Sequence, residues 1–156
     1  MKYWKIMAGL QSSHVDAFKE ESIVAIGFAH HAAIAKAKTV DEMRRIVEQE
    51  HPTATPGRVI MWGSELYRFY NEMQKGDLVL VYEPTTRLYH VGEVAADATY
   101  NETEELPHIR KVKWLRTLSR DDFTTATRNV LGGILALFEI KDSAREEIER
   151  HLAGKK

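Results

Sequence analysis

Cysteine is absent from this chain. Its absence excludes disulfides, thiolate-bound zinc, iron–sulfur clusters and thiol catalysis together. An excess of either charge is also missing. Lys and Arg number 22 against 23 Asp and Glu, a formal net charge of −1. Bulk electrostatics therefore draws in neither nucleic acid nor membrane, and such a contact needs a local patch. No apolar run reaches the roughly 18 residues that a membrane span requires. The opening MKYWKIMAGLQSSHVDAF is too polar for a signal peptide, so a cytoplasmic protein is expected. There is no G-x-S-x-G, no phosphate loop, no G-x-G-x-x-G and no H-E-x-x-H. The seven histidines are scattered, and adjacent His30 and His31 point different ways, which suits a metal poorly. No metal and no cofactor are expected.

What is present is one ordinary domain: 156 residues, 44% hydrophobic and 29% charged. Tyr3–Ala8 and Ser22–Phe28 read as strands, and Ser13 as the cap of a short helix. Thr39 and Glu42 form a capping box for a helix to about Glu50. HPTATPG at 51–57 is a loop. Val59, Trp62, Leu66, Phe69 and Met73 step along one face of a helix over 58–74. Strands follow at 77–84, 88–98 and 108–118, with Gly92 marking a bulge or a close approach. NETEELP at 101–107 is an acidic loop. Ser119 and Asp122 look like a helix start, 134–140 is a last strand, and Asp142 caps a final helix to about Leu152. Residues 1–153 are one domain and 154–156 a tail. Three consecutive strands argue against a doubly wound parallel sheet. The expected class is α/β of the α+β type, a strongly bent mixed sheet flanked by helices.

Two features point to nucleic acid. Arg110, Lys111, Lys113, Arg116 and Arg120 lie close together with no acid among them, and Arg128 follows. A basic strand of this kind suits phosphate contact, although an ordinary solvated strand face explains it equally well. The aromatics Trp4, Phe28, Trp62, Tyr82 and Trp114 fall near element ends, where they either fill the core or wall a pocket for a planar base. A competing pattern is Glu139-Ile140-Lys141, the E-x-K of metal-dependent nucleases, with Asp77, Asp121 or Asp122 as the first acid.

Four pieces occur in order: YWKIMAG, IVAIGF, WGSELYRFYNEMQKGDLVLVYEPTTRLYHVGEV, and LPHIRKVKWL with FTTATRNVLGGILALFEI. This set resembles the N-terminal specificity domain of Mrr-like modification-dependent restriction endonucleases. That domain is similar to the EVE and YTH domains of the PUA-like superfamily. The resemblance implies a PUA-like, β-barrel-like sheet and a non-catalytic reader of a flipped, modified base in double-stranded DNA. It implies a separate nuclease domain or subunit as partner, which makes this chain an excised domain or a stand-alone relative. It implies a pocket built from Phe28, in the place where such domains typically carry tryptophan, with Trp62, Ser64, Tyr82, Gly9, Gly27 and Trp114. An RNA reader is the alternative, because the 2′-OH contact leaves no trace in sequence.

Overall fold

The computed structural model describes residues 1–154, so Lys155 and Lys156 of the expected tail lie outside the described residues. Among the described residues, seven strands and five α-helices form a mixed α+β fold around a strongly curled half-barrel sheet. The strands are β1 (Tyr3–Ile6), β2 (Ile23–Ile26), β3 (Leu78–Glu83), β4 (Leu88–Val94), β5 (Thr99–Tyr100), β6 (His108–Ser119) and β7 (Leu137–Ile140). Their order is β2-β6-β4-β3-β1-β7, and β5 adds to β6. Among the described residues, only β1 and β3 pair in parallel. The helices are α1 (Val15–Glu21), α2 (Val40–Glu50), α3 (Pro56–Tyr67), α4 (Thr125–Leu131) and α5 (Asp142–Leu152).

Alternation along the strands divides the core in two. Val79 and Val81 of β3 pack on one side of the sheet with Met43, Val47, Val59, Leu66 and Phe69. Leu78 and Leu80 face the other side with Leu131, Ala144 and Ile148 of α4 and α5. Thus α2 and α3 cover one face and α4 and α5 the other.

Local signals set most boundaries. The Thr39–Glu42 box is formed, with the Glu42 amide donating to Thr39 Oγ1 at 3.2 Å. Pro56 begins α3 two residues inside the expected loop, because Thr55 accepts from the Arg58 amide and proline suits a helix's first position. The helix expected over 58–74 then changes to a π turn over Arg68–Glu72. The carbonyls freed at that end are taken by Arg110, as described below.

Several expected elements shift. Strand 134–140 shortens to β7, and strand 88–98 stops at Val94. Thr99–Tyr100, just before the acidic loop, pairs with β6 as β5. Ser13 does not cap α1, whose first flanking residue is His14. Ser119 starts only a 3-10 turn, while Thr124 caps α4. Asp142 does not cap α5; it is the first helical residue, and Lys141 precedes it.

Gly92 is both things expected of it. The register slips between Val91 and Gly92, with Leu115 the extra residue of β6. The Trp114 ring lies against Gly92, where a Cβ would sit 2.9 Å from a ring carbon. The bulge has a second effect. Lys113 stands opposite Glu93 and Arg116 opposite Val91, so Lys111, Lys113 and Arg116 share one face although their numbers change parity.

Candidate functional site

A cleft opens where the C-terminal ends of β1 and β2 meet the approach to β7. Its floor is a cavity of about 360 Å³ lined by Met7, Gly9, Ile26, Gly27, Phe28 and Leu106, among others. Leu10 and Ile134, 85% and 89% exposed, stand at its edge. A second cavity of about 360 Å³ shares Gly9, Gly27, Phe28 and Leu106 and adds His14, His30, His51, Glu50 and Glu105. The whole is an apolar slot with a rim of histidines and carboxylates.

The backbone around this slot is unusual. Gly9 has φ +76, and a Cβ there would lie 2.4 Å from the His14 ring, so only glycine fits. Gln11 and Ser12 follow with φ +54 and +59. Phe28 itself has φ +80, a conformation that costs an aromatic residue on the order of 1–3 kcal/mol. Two histidines hold it there. His51 Nε2 donates to the Phe28 carbonyl, and His108 Nε2 donates to the Ala29 carbonyl at 2.6 Å. His108 Nδ1 accepts from the Tyr70 hydroxyl at 2.7 Å, which fixes the tautomer. Burial lowers the His108 pKa to about 4, so His108 stays neutral at physiological pH.

Gly27 differs from Gly9. A Cβ at Gly27 would meet only Leu106, at 3.5 Å, so that backbone is open to the cleft. The acidic loop closes the far side. His14 pairs with Glu105 at 3.3 Å, and His30 donates to the Glu104 carbonyl at 3.2 Å.

Of the expected pocket residues, the structure gathers Gly9, Gly27 and Phe28 in this slot and disperses the rest. Trp62 stacks directly on Phe28, with centroids 5.7 Å apart and planes 16° from parallel. The two rings form one wall, not two walls across a gap. Ser64 faces α2 and accepts from the Arg44 guanidinium at 2.9 Å. Tyr82 lies in another cavity, against Tyr89 at 4.7 Å. Trp114 donates from Nε1 to the Phe18 carbonyl at 3.1 Å and packs on Gly92, as a core residue would. Trp4 is wholly buried, with its indole N–H on Asp77.

The basic residues divide similarly. Arg110 is 3% exposed, and its guanidinium donates to the carbonyls of Phe69, Tyr70, Met73 and Ala96. It caps the π turn and cannot reach a phosphate. Its position before the bulge sends it to the helix-covered face, which its place in a basic run concealed. Arg128 donates to the carbonyls of Arg120 and Asp121 and ties down the 3-10 turn. Lys111, Lys113 and Arg116 are exposed. Lys111 pairs with Ile23, so about five strand residues, roughly 16 Å, separate it from Phe28. Arg120 borders the cavity that contains Tyr82.

Glu139 and Lys141 pair with each other at 3.8 Å. Asp77 is saturated by the Lys2 amide, the Gln74 amide and the Trp4 indole, and Asp121 by Arg87. These acids do not join Glu139 in one site.

The residues missed by sequence reasoning are His51, His108, Tyr70 and Leu106. Only the tertiary fold brings them to Phe28.

Residues 4–133 match the family model for the Domain of unknown function (DUF8426). The chain belongs to this family. No curated protein matches it. Among solved structures, the DUF8426 chain is similar to that of a hypothetical protein from Leishmania major. The two share 13% identity over 99% of this chain and 96% of the other, with a TM-score of 0.50. That likeness concerns the fold alone. Among the described residues, no helix is long and apolar enough to cross a membrane.

Proposed function

We propose that this DUF8426 chain is a non-catalytic nucleic-acid reader that holds one unstacked base, a modified base of DNA, in the slot beside Phe28. The observation that carries the reading is the Phe28 clamp. An aromatic ring sits on a strained backbone at the mouth of an apolar slot, backed by Trp62 and pinned by two histidines. Strain of this kind persists where surrounding structure enforces it, and binding sites are where it concentrates. The free face of the ring offers stacking to any base. The apolar floor gains about 0.8 kcal/mol per buried methylene-sized group, which favours a modified base over a plain one. The histidine and carboxylate rim offers acceptors and donors to the base edge. Restriction-system specificity, with a nuclease domain or subunit as partner, remains the biological setting of this reading.

The experiment is a titration at fixed salt against duplex oligonucleotides carrying methylated adenine, modified cytosine or plain bases. One modified duplex should bind at least about tenfold more tightly than its plain twin, the discrimination expected of about 1.4 kcal/mol. Equal affinity across the DNA panel with tighter binding to single-stranded RNA overturns the DNA reading. Cleavage with Mg²⁺ that disappears in Glu139→Ala overturns the non-catalytic one.

A further inference from the structure

Across β1 from the Phe28 slot lies another cavity, of about 420 Å³, lined by Lys5, Met7, Ser12, Tyr82, Arg87, Tyr89, Arg120 and the Leu131–Gly133 turn. Met7 borders both cavities. We propose that this cavity is a phosphate-binding site, with Lys5 and Arg120 as its principal ligands.

Three cations line it and no carboxylate does. Lys5 is the decisive residue. Its side chain leaves β1 on the face shared with Leu80 and is 5% exposed. Among the described residues, its ammonium has neither a carboxylate nor a hydrogen-bond partner; the Phe138 ring lies 6.0 Å away. The stem is buried while the ammonium keeps an opening to this cavity, so a cation stripped of most of its water faces that space without a counter-charge and favours an anion there. Burial alone lowers its pKa, to about 8, so it is still mainly charged at neutral pH. Arg87 is held at the mouth by Asp121, which does not itself line the cavity. Arg120 is half-buried and forms no ion pair among the described residues; Asp121, the acid that feels its charge, is engaged by Arg87. Ser12, Tyr82 and Tyr89 add hydroxyls, which suit the remaining phosphate oxygens.

The two cavities differ in kind. The Phe28 slot is rimmed by Glu50 and Glu105, which repel a phosphate. The Lys5 cavity has a mixed lining that carries three cations. A nucleotide whose base enters the first has its phosphate drawn to the second. That joint placement rests on the base-reading proposal; phosphate binding by Lys5 does not, and it is tested alone.

The probe is inorganic phosphate at constant ionic strength, followed by the melting temperature and by phosphorus NMR. The wild-type melting temperature should rise with phosphate concentration, as ligand linkage requires. Lys5→Met, which keeps the volume and removes the charge, should bind phosphate at least about tenfold more weakly. Arg120→Gln, a change at a less buried position, gives a second reading if Lys5→Met fails to fold. Competition then identifies the source. Displacement of phosphate by a short oligonucleotide assigns the site to nucleic-acid backbone, and displacement by a nucleoside monophosphate alone assigns it to a free nucleotide. No phosphate response in wild type, or an equal response in both variants, overturns the proposal. Lost base selectivity with phosphate binding intact refutes the base reading and leaves this site standing.

Discussion

Phe28 lies flat against Trp62, so one face of the Phe28 ring is occupied before any ligand arrives. His51 meets the same indole edge-on at 5.0 Å while donating to the Phe28 carbonyl. Trp62 therefore supports the wall without forming the opposite one.

This gives the first prediction. Phe28→Ala should weaken base binding by about 1–3 kcal/mol, the worth of one stacking contact, and leave the domain folded. Trp62→Ala should lower stability as well as binding, since it removes the backing of the ring. Trp62→Phe should restore much of both. Thermal melts alongside oligonucleotide titrations check this. Full binding by Phe28→Ala removes stacking from the account.

The second concerns acid. Burial raises the Glu65 pKa to about 7, while the Ala136 amide donates to its carboxylate at 3.3 Å. Between pH 4.5 and about 7 the folded state holds this proton and the unfolded chain does not, so stability from Glu65 is present at low pH and lost as pH rises. His108 acts oppositely. Its folded pKa of about 4 lies below the ordinary 6.5, so the unfolded chain takes the proton first and stability falls with acid. The two nearly cancel between pH 4.5 and 6.5. Glu65→Gln should expose the His108 slope, about 1.4 kcal/mol per pH unit at most, in denaturant melts across that window. An unchanged pH profile would show that Glu65 is already ionised in the folded protein.

The third concerns alkali in the absence of any anion. Lys5 loses its proton near pH 8 when folded and near 10.5 when unfolded. The unfolded chain then binds more protons, so stability from this group rises with pH from about 8 upward, by on the order of 3 kcal/mol over its full range. Melts to about pH 9, where a tyrosine of pKa about 10 is only about a tenth ionised, should show the rise in wild type and not in Lys5→Met.

The fourth separates structural from exposed cations on β6. Arg110→Ala should destabilise the fold by about 3 kcal/mol or more, because four buried or half-buried carbonyls lose their donor. Lys111→Ala, Lys113→Ala and Arg116→Ala should change stability little. If nucleic acid crosses this face, each should reduce the salt dependence of binding by about one unit of slope. Unchanged slopes in all three would place the nucleic acid on another face.

Local chemistry made much of the fold legible. The Thr39–Glu42 box and the stepped apolar face of α3 depend on neighbours within a few residues, so periodicity and capping residues reveal them, and Gly92 flags its bulge by residue type although the partner, β6, is distant in sequence. The α+β class follows from three strands in succession. Tertiary structure alone decided the site. Arg110 and Lys111 are adjacent in sequence, yet strand alternation buries one on helix carbonyls and exposes the other. His108 reaches Ala29 across 79 positions, and no local pattern encodes a partner so distant. Lys5 looks like a surface lysine in YWKI until β3 and β7 flank β1, bury its stem and leave its ammonium at a cavity without a counter-ion. Which side chains are covered depends on what packs over them, and the sheet's curl and order settle that only when distant segments meet.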